Sequence, residues 1–373
     1  MAFAYTPGLR VAGHTLVSKE RRLPLTGETL VEVGDSVTAD TVVARTELPG
    51  NVKMLNIANV LGLPPGDIPE LLTVKEGEVI GQNQPLGQSK GIFGLFKNTV
   101  RSPIEGVFES YNKITGQAVL REPPIPVEID AYVKGTVKEI LENEGVVVDA
   151  HATFVQGIFG IGGETRGELR VLTEGPDDEL TAELLDENCR GKVLVGGSFV
   201  SFSTLNRAIE LGVNAIIVGG FDDKDLKEFL GYDLGVAITG HEKKGITLIL
   251  TEGFGRMNMA HQTFALLKSR EGRFASVNGA TQIRAGVMRP ELVIPVDESQ
   301  ADKKSDKQAG AMDIGSPVRC IRAPFFGRLG TVAALPAELQ VLDSEARVRV
   351  LDVKFSGGET VTVPRANVEL IEE

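Results

Sequence analysis

The chain has 373 residues, more than one compact domain ordinarily holds, so several folding units are expected. Hydrophobic residues make up 42% and charged residues 24%, which excludes a globally disordered chain, and no run approaches the roughly 20 apolar residues of a membrane-spanning helix. A formal net charge of −12 excludes a general attraction to phosphate backbones, so any nucleic-acid contact has to be local. Met1 to Gly13 lacks a basic region followed by an apolar run, and a cytoplasmic protein is expected.

From Leu23 to Pro126 short β-branched runs alternate with turn residues. Val31–Ala44 reads as a hairpin whose turn is Gly34-Asp35, glycine supplying the positive φ. A second copy follows at Val74–Gln82, with Gly77-Glu78 in place of Gly34-Asp35, and the two form a weak internal repeat. Between them Val52, Leu55, Ile57 and Leu61 make an imperfect helical stripe that stops at Gly62, so one short inserted helix is expected. Ser102–Glu109 and Thr115–Leu120 resume strand patterning.

The pieces Val33-Gly-Asp-Ser-Val37, Glu76-Gly-Glu78 and Ser102-Pro-Ile-Glu-Gly-Val107 resemble the barrel-sandwich hybrid of biotinyl and lipoyl carriers and of RnfC-type subunits. The resemblance spans about a quarter of the chain and implies a fold more than a function. Carrier chemistry would require a lysine at a hairpin tip. Neither Gly34-Asp35 nor Gly77-Glu78 supplies one, so no biotin or lipoyl group, and no other cofactor, is expected.

Residues 131–185 continue as β, with strands at Val133–Ile140, Gly145–Asp149 and Glu168–Leu172. Gly157–Glu164 holds four glycines, but without the helix and lysine of a phosphate loop they read as tight turns at a sheet corner. Over residues 186–295 strands at Lys192–Val195, Ala215–Val218, Val236–Thr239 and Ile246–Leu250 alternate with helices. Those helices are capped by Ser203 and Asp222 or striped by Met257, Ala260, Phe264 and Leu267. This is the pattern of an α/β layer. Gly191–Val195 with Arg207–Val218 is loosely similar to swivelling domains, which position other domains. Residues 296–314 are polar and mixed in sign, a solvated linker.

Gly315–Val332 carries a strand, then Pro324, Phe325, Gly327 and Gly330, then a strand. This resembles the KOW motif of NusG-type transcription factors and some ribosomal proteins. The resemblance implies that residues 315–373 form a small SH3-like barrel that binds RNA or a protein. Arg319, Arg322 and Arg328 occur in that stretch without an acid, the one local basic patch of an acidic chain. With Phe325 they are the expected contacts to an RNA or nucleoprotein partner. On an open strand face their replacement by Gln would weaken binding and leave stability nearly unchanged.

Chemistry elsewhere is sparse. Ser198, His241, Glu242 and Arg256 follow or flank strands of the α/β region and supply the residue types of a nucleophile, base, orienter and anion anchor. No Gly-x-Ser-x-Gly elbow accompanies them. The histidines at 14, 151, 241 and 261 are dispersed, Cys189 and Cys320 lie far apart, and no metal site or disulfide framework is expected. His261 reads as a packing residue beside the Met257–Phe264 stripe.

The sequence thus points to a multidomain, mainly β protein. Its expected units are residues 1–130, a barrel-sandwich hybrid-like domain, a β extension at 131–185, an α/β domain at 186–295, a linker at 296–314 and a KOW barrel at 315–373. The expected role is non-enzymatic binding or scaffolding at a transcription or translation machine, without catalytic residues and without a membrane. The alternative is an enzyme or small-ligand sensor at Ser198, His241, Glu242 and Arg256.

Overall fold

The computed structural model describes residues 9–89, 97–231, 242–282, 288–297, 312–320, 324–325, 328–336, 339–341, 347–355 and 357–370. The protein is mostly β, and among the described residues 13 strands join one large mixed sheet. Its spine is the 12-residue strand Gly145–Gln156, whose buried valines and alanines suit a strand covered on both faces. Val11–Arg22 pairs along one side of it, while Gly135–Leu141 and Glu291–Pro295 share the other side. This pairing crosses the boundaries expected near residues 130 and 185, because the chain's opening strand and the 131–295 region lie in the same sheet. Among the described residues no helix is long and apolar enough to cross a membrane.

The repeat in the first third is realised in three dimensions, and in each copy the segments flanking the turn pair antiparallel, Thr29 with Ala44 and Leu72 with Gly87. Gly34 and Gly77 take φ of 95° and 84°, and in each turn the acid one residue further on accepts from a backbone N–H three residues back: Asp35 from Glu32, Glu78 from Lys75. Their own N–H groups donate to Val137 and Phe108. The short strands that follow pair with distant chain, Val37 opposite Gly135 and Ile80 opposite Gly106. Val42–Leu48 folds back antiparallel on Glu28–Thr29, as the expected hairpin requires, and pairs on its other side with Ile125–Asp130. The turn chemistry and the local fold-back were therefore read correctly, and only the distant partners were not. Both glycine turns serve long-range pairing that sequence spacing does not encode.

The expected inserted helix is shorter than its stripe. Val52–Asn56 is an edge strand against Gln117–Arg121, and only Ile57–Leu61 is α-helical, with Asn56 capping it through Asn59 N–H. A 3₁₀ segment, Pro65–Leu71, follows and buries Ile68. Gly106–Tyr111 and Gln117–Arg121 form the next hairpin, completing a four-stranded sheet over a core of Ile57, Leu61, Ile80, Phe108 and Leu120.

Further along, Glu164–Val171, Val193–Val195, Ala215–Phe221 and Thr247–Phe254 run parallel. Phe202–Leu211 and Asp223–Leu230 pack Leu205, Ala208, Leu226 and Phe229 on one face, and His261–Lys268 packs Phe264 and Leu267 on the other. Both covered faces explain why Ala215–Phe221 is buried at every position. Ser201, two residues before the expected Ser203, caps the first of these helices, and Asp222 caps the second. The third begins at His261 rather than Met257, because Gly253–Met259 is drawn back over the strand ends, and His261 itself is exposed. The expected strand at Val236–Thr239 and most of the expected linker lie outside the described residues.

The tail is a six-stranded antiparallel sheet among the described residues, with Val318, Cys320, Val332, Leu351, Val353 and Phe355 in its own core.

Candidate functional site

The tail strand Pro317–Cys320 alternates, placing Val318 and Cys320 in the tail core and Arg319 on the opposite side. That opposite side is not open. Arg319 is 2% exposed and lies against the Thr247–Phe254 strand, where its Nη1 donates to Glu252 Oε2 at 2.8 Å and to the Glu252 carbonyl at 3.0 Å. Glu252 is itself 6% exposed, and its Oε1 accepts from Ala260 N–H at 3.0 Å. One carboxylate therefore accepts both from the guanidinium and from the amino end of the His261–Lys268 helix. The expected contact arginine is in this respect corrected: Arg319 is a docking residue within the chain.

Phe325 and Arg328 are brought together as a contact face requires. The Arg328 guanidinium lies 3.7 Å from the centroid of the Phe355 ring and 5.6 Å from that of Phe325. The two rings are 5.6 Å apart, and Phe325 packs at the margin of the tail core. Arg328 keeps 42% of its side chain exposed and pairs with the half-exposed Glu359 at 2.7 Å. Arg322 lies outside the described residues.

The described members of the alternative constellation are divided between the two ends of the parallel strands. Ser198 stands at the carboxyl ends of the parallel strands, 6% exposed, with its hydroxyl donating to the Asp177 carbonyl at 2.8 Å. Arg256 is at the same end, ion-paired with Glu179 and stacked 4.5 Å over Phe199. Glu242 instead lines a small hollow with Asn214, Gly245 and Thr247, at the amino ends. His241 lies outside the described residues.

The crevice in which parallel sheets commonly hold ligands is filled by the chain's own backbone. Gly219 N–H donates to the Gly197 carbonyl, Ser198 N–H to Asp178, Gly255 N–H to Phe221 and Met259 N–H to Pro176. A Cβ on Gly219 would stand 1.9 Å from the Met257 carbonyl oxygen, so only glycine admits that covering loop. The glycines at 157 and 160 likewise serve close packing, against Leu250 and Gly279 backbone oxygens, and not an anion.

Glu252, Phe355 and Glu359 escaped the sequence reading. Glu252 had a signal: a charged residue two positions after the strand pattern Ile246–Leu250 is either at a strand end or buried with a partner. His14 and His151, far apart in sequence, stack at 5.3 Å between centroids because their strands pair.

The sequence matches no protein-family model, and no curated protein matches it.

Proposed function

We propose that this is a non-enzymatic binding or scaffolding protein whose KOW-like tail engages an RNA or nucleoprotein partner of transcription or translation. In this reading the first unit is a barrel-sandwich hybrid without a carrier lysine, the parallel-strand region is an α/β domain that positions its neighbours, and the tail is an SH3-like barrel. The observation that carries it is Arg328, half exposed and laid flat over Phe355 beside Phe325. A guanidinium held on a ring face loses little further freedom on binding and still offers its outer N–H groups to phosphate or carboxylate oxygens. Its present partner Glu359 is a weak competitor, since exposed ion pairs contribute only about 0–1 kcal/mol. The buried Arg319–Glu252 pair supports the reading by giving the tail a fixed mount.

The test is retention of RNA and protein from lysate on the immobilised full chain, with and without nuclease, for the wild type and Arg328→Gln. The variant should melt as the wild type does and retain several-fold less partner. For an RNA partner its slope of log affinity against log salt should be smaller by about 0.9. Retention that survives nuclease assigns a protein partner to the same face. Equal retention by the variant, or none by the wild type, would overturn the proposal.

A further inference from the structure

A cleft of about 580 Å3 opens where the turn around Thr38 and the start of the Gly135–Leu141 strand face the adjoining ends of Phe274–Asn278 and Glu291–Pro295. That volume is within the range of roughly 300–1,000 Å3 of small-molecule sites. Its lining includes the small buried side chains of Ala39 and Ala150, at 4% and 2% exposure, and charged groups.

The charges are unequally matched. Of three carboxylates, Asp40 pairs with Arg166 at 3.3 Å, and Asp149 accepts from Ser18 and pairs with Lys138 at 3.4 Å. Neither Arg166 nor Lys138 lines the cleft, so both acids are drawn toward cations outside it. Lys134 and Arg273 line the cleft and make no ion pair or side-chain hydrogen bond among the described residues. Among the described lining residues that leaves two unmatched cations against the exposed Asp297. The imidazole of His151, stacked on His14, is part of the same lining, and the Phe274 ring beside Arg273 is 46% exposed.

The internal repeat shows that the fold does not demand a cation here. Gly135 and Gly106 hold equivalent places opposite Val37 and Ile80, yet the residue before them is Lys134 in one copy and Glu105 in the other. On a chain of net charge −12, unmatched cations on a concave wall raise the local concentration of anions.

We propose that this cleft binds a small organic anion, with Lys134 and Arg273 holding its phosphate or carboxylate oxygens and Phe274 covering its uncharged body. An arginine fork and a lysine point charge are the usual pair for such oxygens, and an exposed ring gives the remainder an apolar contact.

The test is calorimetric titration of the full chain with inorganic phosphate, ribose 5-phosphate and citrate. Three variants accompany the wild type: Lys134→Gln/Arg273→Gln, Asp297→Asn, and a control, Lys53→Gln/Lys75→Gln, at exposed lysines outside the cleft. Saturable binding of at least one probe is expected, weakened tenfold or more in the first variant, strengthened at least twofold in Asp297→Asn and unchanged in the control. Tighter binding of ribose 5-phosphate than of citrate assigns a phosphate-bearing ligand, and the reverse order a polycarboxylate. Absence of saturable binding to the wild type, or equal affinity in the Lys134/Arg273 variant, would sink the proposal. All substituted positions are exposed, so unchanged melting temperatures verify that each variant is folded.

Discussion

Arg319 illustrates how one residue changes meaning between strand and molecule. It lies on the outward side of its strand, as alternation with Val318 requires, but outward here means onto Glu252 of another sheet. Replacement by Gln, harmless on an open face, is therefore expected to destabilise. Removing either partner of a buried pair leaves an uncompensated charge and costs about 3–5 kcal/mol. Urea unfolding should show a loss of that size for Glu252→Ala. The double variant Glu252→Leu/Arg319→Leu, which removes both charges, should recover much of it. A Glu252→Ala loss below about 1 kcal/mol would mean that Arg319 finds water instead. Arg328, on the same tail but ion-paired at the surface, should contribute no more than an exposed pair does.

At the scale of elements, local rules held where a segment satisfies its own backbone and failed where a neighbour does so. Ser201 and Asp222 cap the helices that follow them, and Gly212 and Gly231 end those helices with φ of 76° and 83°. The Met257 stripe failed because Gly255 and Met259 donate their N–H groups to the Phe221 and Pro176 carbonyls before a helix can start. That covering loop depends on Gly219. Gly219→Ala should shift the unfolding midpoint downward by several degrees or more, because its Cβ would meet backbone that cannot yield. Gly66→Ala, with nothing within 4 Å of the added carbon, should be neutral or stabilising by up to about 1 kcal/mol. Equal effects of the two substitutions would refute the close-packing account.

At the scale of the whole molecule, the tail is mounted rather than merely tethered. Its buried guanidinium reaches into the large sheet, and a groove of about 320 Å3 lined by Pro317, Leu329, Leu266 and Val11 follows the same junction. The polar composition of residues 298–311 still makes that stretch the expected first site of limited proteolysis. After such a cut the fragment Gly315–Glu373 should co-elute with the remainder in gel filtration. In Glu252→Ala it should separate. Separation in the wild type would show that the junction is too weak to hold the tail without the covalent link.

Sequence by itself determined what depends on a few neighbouring residues. It supplied the mainly β character, the repeated Gly-acid turns, the Asp222 helix cap with the glycine stops at Gly212 and Gly231, and the grouping of Phe325 with Arg328. Tertiary structure alone decided which distant strands meet those turns. It also decided that the opening strand belongs with Gly145–Gln156, that Ser198 and Glu242 stand at opposite strand ends, and that Arg319 is buried while Lys134 and Arg273 are left unmatched in a cleft. The division has a physical cause. A turn or cap is satisfied within three or four residues, so its signal is written locally, whereas pairing, burial and charge balance are settled by groups far apart in sequence, such as Ser18 and Asp149, 131 residues apart on the paired strands Val11–Arg22 and Gly145–Gln156.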